Sequence, residues 1–174
     1  MGPGSRELSD AEKAIIRHRT DWQASEGGYA HIQGTKPQTL SDGLNDSPAG
    51  LAAWIVEKYR TWSDCGGDVE SRFTKDELLT TVMIYWVTQS IGSSTRLYYE
   101  TNRKPSDLKQ GERIEVPCGI ASFPGENTVP LREWAERSYN VQHWTDMPSG
   151  GHFAALEEPV NLVADIRDFF RPLR

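Results

Sequence analysis

The chain has 174 residues, enough for one ordinary domain with its own core, and its formal net charge of −6 gives it no general attraction for phosphate backbones. Nucleic acid is therefore not an expected partner. No apolar run approaches bilayer length and no apolar stretch follows the first residues, so neither membrane nor export is expected and the chain reads as cytoplasmic.

Residues 1–5 (Met-Gly-Pro-Gly-Ser) read as an expression remnant with no structural task. Ser9 and Glu12 then form a capping box, and Ala11, Ile15, Arg19 and Trp22 follow at helical spacing up to Gly27-Gly28. Residues 29–44 are a less clear helical segment, interrupted by Gly34 and Pro37. Ser47-Pro48 opens the next helix, because serine caps free amides and proline at the first helical position forfeits no hydrogen bond. Leu51, Trp54, Ile55, Lys58 and Tyr59 share one of its faces. Thr74 and Glu77 make a second capping box, with Phe73 placed to staple onto Leu78. Leu78, Val82, Tyr85, Trp86 and Gln89 continue it, and a break is expected at Gly92 before Tyr98 and Tyr99.

Beyond this helical block the pattern changes. Residues 105–113 read as a linker, 114–123 as a strand despite Pro117, 130–138 as a helix, 141–145 as a second strand and 157–170 as a closing amphipathic helix. Strand–helix–strand order implies a parallel pair and an α/β arrangement that is mostly helical by content. Two strands alone leave both edges unpaired and both faces short of cover, so the sheet is expected to be incomplete. Cys65 sits in a Ser-Asp-Cys-Gly-Gly turn. Cys118 reads as a core residue, and the two thiols as reduced. The four histidines are scattered, so neither a metal nor a cofactor is expected.

Reactive groups of open α/β sheets lie beyond the carboxyl ends of strands. His152, in Gly150-Gly151-His152-Phe153, stands there after the second strand, as either a general base or a turn histidine without a task. Glu126, in Phe123-Pro124-Gly125-Glu126-Asn127, stands there after the first. Neighbouring parallel strands bring such loops within hydrogen-bond reach, so Glu126 is the candidate acid for His152, and Asp146 a weaker one. The nucleophile of such a relay is missing: there is no Gly-x-Ser-x-Gly elbow, and Ser93 and Ser94 sit in a helical stretch.

Long stretches resemble one family. The runs Gly28-Tyr29-Ala30-His31-Ile32-Gln33, Thr35-Lys36-Pro37-Gln38-Thr39-Leu40, Leu44-Asn45-Asp46-Ser47-Pro48-Ala49-Gly50-Leu51 and Ser93-Ser94-Thr95-Arg96-Leu97-Tyr98-Tyr99-Glu100 look like the cap of microsomal-type epoxide hydrolases, of the α/β-hydrolase superfamily. The tail Gly150-Gly151-His152-Phe153-Ala154-Ala155-Leu156-Glu157-Glu158-Pro159 is similar to that family's histidine segment.

The resemblance implies a helical cap over residues 6–104, followed over residues 105–174 by the last strands and helices of an α/β-hydrolase core. It implies His152 as the base that activates water and Glu126 as the acid that orients it. Tyr29 and Tyr98 would be the phenols that hydrogen-bond the epoxide oxygen. The family's aspartate nucleophile, oxyanion loop and most of its sheet precede the cap and have no counterpart in these residues. The expectation is thus a portion of an epoxide hydrolase, inactive alone, acting on a small apolar epoxide when a complementing N-terminal half is supplied. The rival is a non-catalytic remnant that self-associates into a homo-oligomer and binds small apolar molecules. A haloalkane dehalogenase is a weaker third reading. Asp42-Gly43 departs from the family pattern, and both are poor helix formers, so a loosened helix is expected there.

Overall fold

The structure is a computed structural model that describes residues 7–104, 108–109, 111–128 and 131–174. The expected expression remnant and parts of the expected linker lie outside the described residues. Six helices come first: α1 (Asp10–Glu26), α2 (Gly28–Thr35), α3 (Pro37–Asp46), α4 (Pro48–Trp62), α5 (Lys75–Thr88) and α6 (Ile91–Thr101). Then follow β1 (Ile114–Ser122), α7 (Arg132–Ser138), β2 (Tyr139–Asp146), α8 (Ala154–Glu157) and α9 (Pro159–Phe170).

Local chemistry sets the helix starts. Ser9 and Thr74 each close a reciprocal capping box, with Glu12 and Glu77. The Ser47 hydroxyl accepts from the Gly50 amide at 3.0 Å ahead of Pro48. Pro37 does not interrupt a helix: it starts α3, at the position where its missing N–H is not needed. Helix α3 runs unbroken through Asp42 and Gly43, contrary to the expected loosening, because its Ser41 and Leu44 are buried against neighbours. The expected break at Gly92 falls instead at Gln89, which adopts a left-handed φ of 51°. Gly92 lies inside α6 and faces Ser41 of α3, where a side-chain carbon would meet it at ordinary contact distance.

Leu44, Leu51, Val82 and Ile91 form one apolar core of the helical block. Tyr59, Phe73 and Leu78 form a second, so Phe73 does meet Leu78. Helix α1 departs from expectation: Ile15 and Trp22 are half-buried, while Ala11 and Arg19 are exposed. Its buried residue is Glu12, which accepts the indole N–H of Trp134 on α7 at 2.7 Å.

Strands β1 and β2 pair in parallel, with Ser122 opposite Asp146 at the carboxyl end. Pro117 has no amide to donate, and the register slips between Ile114 and Pro117. The Asn140 side chain takes up the Glu115 carbonyl there, at 2.9 Å. No residue of β1 or β2 is buried, so Cys118 is half-buried rather than a core residue. Val160 on α9 is 80% exposed and Val116 on β1 is 71% exposed, with Val163, Ile166 and Phe170 also in solvent. The expected closing helix, 157–170, is α9, which starts at Pro159; the one-turn α8 precedes it and ends at Glu158, whose angles ahead of the proline are not helical.

The turn after β2 requires both its glycines. Gly150 has a φ of 101°, which disfavours any side chain. A side-chain carbon on Gly151 would lie 2.8 Å from the Trp62 carbonyl, 2.9 Å from the Asp64 amide and 3.1 Å from the Gly125 carbonyl, all of them backbone. Gly151→Ala therefore forces three segments apart. It should lower stability by about 1–3 kcal/mol, as overpacking does, and urea unfolding with an unchanged midpoint would contradict this.

Candidate active site

The carboxyl ends of the two strands come together through backbone before any side chain is involved. The Gly125 amide donates to the Gly150 carbonyl at 2.9 Å, and the Met147 amide to the Ser122 carbonyl at 2.8 Å. Glu126 directly follows Gly125, and His152 lies two residues beyond Gly150. Glu126 Oε1 lies 2.9 Å from His152 Nδ1. The same oxygen accepts the Asn127 amide at 2.7 Å, which holds the carboxylate in place. Asp146, the weaker candidate acid, instead accepts the Trp144 indole at 3.0 Å.

The imidazole is fastened from three sides. Its own amide donates to the Trp62 carbonyl, at the end of α4, at 3.0 Å. The Trp62 ring meets the imidazole nearly edge-on, with centroids 5.1 Å apart. The following residue, Phe153, stacks on Tyr59 of the helical block, with centroids 4.1 Å apart and planes within 4°. Such an aromatic pair adds about 0.5–1.5 kcal/mol beyond area burial, and it moors the histidine loop to the second helical core.

Tyr29 comes from α2 and Tyr98 from α6. Their rings meet edge-on, centroids 5.8 Å apart. Both line a cavity of about 190 Å³, together with Lys58, Trp62, Tyr85 and Phe153. His152 is not part of that lining. Trp62 connects the two: its centroid is 4.9 Å from that of Tyr29 as well as 5.1 Å from the imidazole. The Lys58 ammonium sits 5.0 Å from the Tyr29 centroid and 5.4 Å from that of Trp62, while pairing with Glu57 at 2.6 Å. A second recess, of about 500 Å³, lies on the Glu126 side, against Ile15, His18 and Trp22 of α1.

Sequence reasoning missed Trp62 and Glu157. Trp62 was readable in principle: it lies three residues beyond Tyr59 on the helix face already marked as apolar. Glu157 had no such signal, since a Glu-Glu-Pro run ahead of a helix reads as solvated. Among the described residues no three His, Cys, Asp or Glu stand close enough to hold a metal ion.

Burial, with the adjacent Tyr98 phenol behind it, pushes Tyr29 up to about 12. The hydrogen bond with Glu126 raises His152 above its ordinary value, against some loss of solvation. The bond from His152 lowers Glu126 in turn. The His152 contribution to stability is complete below the ordinary imidazole pKa and is lost as pH rises through the raised one. The Glu126 contribution is complete above the ordinary carboxyl pKa and is lost as pH falls through the lowered one. Both side chains are about a third or more exposed, so solvent screens the pair.

A small parallel sheet with a paired histidine and carboxylate at its carboxyl edge, beside a block of helices, fits part of an α/β-hydrolase fold. Aspergillus niger epoxide hydrolase superposes with a TM-score of 0.80 at 31% identity, over 99% of this chain and 43% of its own. Epoxide hydrolase 1 of Sus scrofa is 44% identical over 83% of this chain and 34% of its own length. Juvenile hormone epoxide hydrolase 1 of Ctenocephalides felis is 45% identical over 81% of this chain and 32% of its own. The chain belongs to the epoxide hydrolase family of the α/β-hydrolase superfamily. It spans about a third of the length of the curated relatives it matches. No protein-family model matches it.

Replacing Glu126 by glutamine removes the partner that raises the imidazole. The His152 titration midpoint, followed by NMR, should fall in Glu126→Gln. A stationary His152 midpoint would contradict the pairing.

Proposed function

We propose that this chain supplies the cap and the relay end of an epoxide hydrolase, residues 6–104 being the cap and 105–174 the core portion. In this reading an aspartate nucleophile comes from an N-terminal half that is not among these residues. The observation that carries it is the 2.9 Å Glu126–His152 pair lying one indole away from a cavity lined by two phenols.

The chemistry follows from what each group can do. A carboxylate oxygen attacks an epoxide carbon, the carbon–oxygen bond breaks, and the electron pair moves to oxygen as an alkoxide. Tyr29 and Tyr98 donate to that oxygen. A Tyr29 pKa near 12 keeps its proton in place at neutral pH, so it serves as a donor throughout. Each well-placed donor is worth about 2.7–4 kcal/mol by analogy with oxyanion holes. Water then attacks the resulting ester while His152 takes its proton, and Glu126 stabilises the imidazolium. The ester bond to the diol oxygen breaks. The two protons of the water end on the two diol oxygens, one of them by way of His152. The diol leaves with the carboxylate and the neutral imidazole restored. Aromatic walls favour a small apolar epoxide.

The exposed apolar faces of α9 and β1 support a partner that covers them, either the complementing half or further copies of this chain. The second reading, a self-associating non-catalytic remnant that binds small apolar molecules, draws on the same exposed faces. No helix is long and apolar enough to cross a membrane. A cytoplasmic location is part of the proposal.

The purified chain alone should not convert styrene-oxide-type epoxides and should sediment as a dimer or larger. Turnover by the chain alone that is abolished in His152→Ala, or a strictly monomeric species, would count against these expectations. Supplied with an N-terminal half from a related enzyme, the chain should form diol. There His152→Ala should lower the rate about 10²–10⁴-fold, and Tyr98→Phe about 10²–10³-fold. If neither variant alters diol formation, the assignment of roles fails.

A further inference from the structure

Glu157 is a carboxylate that is 8% exposed and directed at backbone. Its Oε1 accepts the Phe153 amide at 2.9 Å. Its Oε2 accepts the Gly151 amide at 3.0 Å and the Asp64 amide at 2.7 Å. The first two amides flank His152. The third belongs to the segment leaving α4, two residues beyond Trp62. The His152 amide, between the flanking pair, donates to the Trp62 carbonyl. One carboxylate thus ties three amides from two segments that are 93 positions apart at the widest pairing. A buried charge needs such donors, and hydrogen bonds to charged groups are the strong ones.

A second tie runs beside it. Asp64 Oδ2 accepts the Gly150 amide at 3.0 Å and pairs with Arg72 at 3.0 Å, and Arg72 reaches Glu158 at 3.1 Å. That outer set lies nearer to solvent: the Asp64 side chain is 41% exposed. Losing Glu157 would leave it standing, so the histidine turn would remain attached while its register against α4 loosened.

We propose that Glu157 is the positioning residue of the relay: by holding the amides on both sides of His152 together with that of Asp64, it sets the imidazole against Trp62 and hence against the phenol pair. The role rests on reading His152 as the base. Glu157 touches neither substrate nor reacting atoms. Its negative charge also favours the protonated imidazole.

The test uses the ¹⁵N-labelled 174-residue chain, with Glu157→Gln and Glu157→Asp as variants. Glutamine has one acceptor oxygen where three donors converge, and aspartate keeps the charge one carbon short. In Glu157→Gln the amides of Asp64, Gly151 and Phe153 should exchange with solvent about tenfold faster or more, while those of α5 keep their protection. The His152 titration midpoint should fall. Aspartate should restore the midpoint more than the amide protection. Two results overturn the proposal: unchanged exchange and midpoint in a folded Glu157→Gln, or loss of protection in α5 alongside the three amides in both variants, which would make Glu157 a requirement of the fold and not of the relay. Diol formation by the completed enzyme bears separately on the proposed function. Where it occurs, Glu157→Gln should lower kcat with little change in KM, and shift the pH profile with the His152 midpoint.

Discussion

The parallel pairing of β1 with β2 is the constraint on which the site depends. Parallel neighbours end at the same edge, so the loops that leave them start side by side. That places Gly125 against Gly151 and, one step further along each loop, Glu126 against His152. An antiparallel pair would have sent the two loops to opposite edges. The pairing needs small residues at the contact, because Gly151 is hemmed by backbone of 62–64 and 125, Gly125 by backbone of 150–151 and the Asp64 side chain, and Gly150 by the Phe123 and Glu158 side chains. Glycine at 125, 150 and 151 is the sequence expression of that crowding.

The sheet edge is joined to the helical block by few but well-placed contacts. Phe153 stacks on Tyr59, Trp62 touches both the imidazole and Tyr29, and Glu157 ties the amides of the two segments together. The His152 imidazole and the pair of phenols, contributed by separate structural units, are held on two sides of the Trp62 indole by aromatic packing and a buried carboxylate. Meanwhile β1 and α9 keep apolar side chains in solvent, with no covering element among the described residues. A face of that composition is costly to leave wet, which is the physical reason to look for a covering partner.

Legibility followed the range of the interaction. Capping boxes at Ser9 and Thr74, the serine–proline start at Ser47 and the Phe73–Leu78 contact were readable because each involves residues within five positions. The strand pair was readable from order and spacing. Gly92 misled, since a glycine in a helical pattern can either mark a break or continue the helix, and here the left-handed residue that ends α5 is Gln89. Cys118 and the outward face of α1 misled for another reason: spacing marks a face but not whether anything packs against it, and there Cys118 is half-buried and Ala11 and Arg19 are exposed.

By itself the sequence determined the helix starts, the parallel strand order and the candidacy of Glu126, His152, Tyr29 and Tyr98, because these rest on local chemistry or on long motifs. The tertiary structure alone decided that Trp62 links the imidazole to the phenols and that Glu157 is buried among backbone donors. It alone decided that the phenol-lined cavity stops short of His152. The reason is that burial and contact between residues far apart in the chain depend on how helices and strands pack, and a Glu-Glu-Pro run carries no mark of which carboxylate will be enclosed.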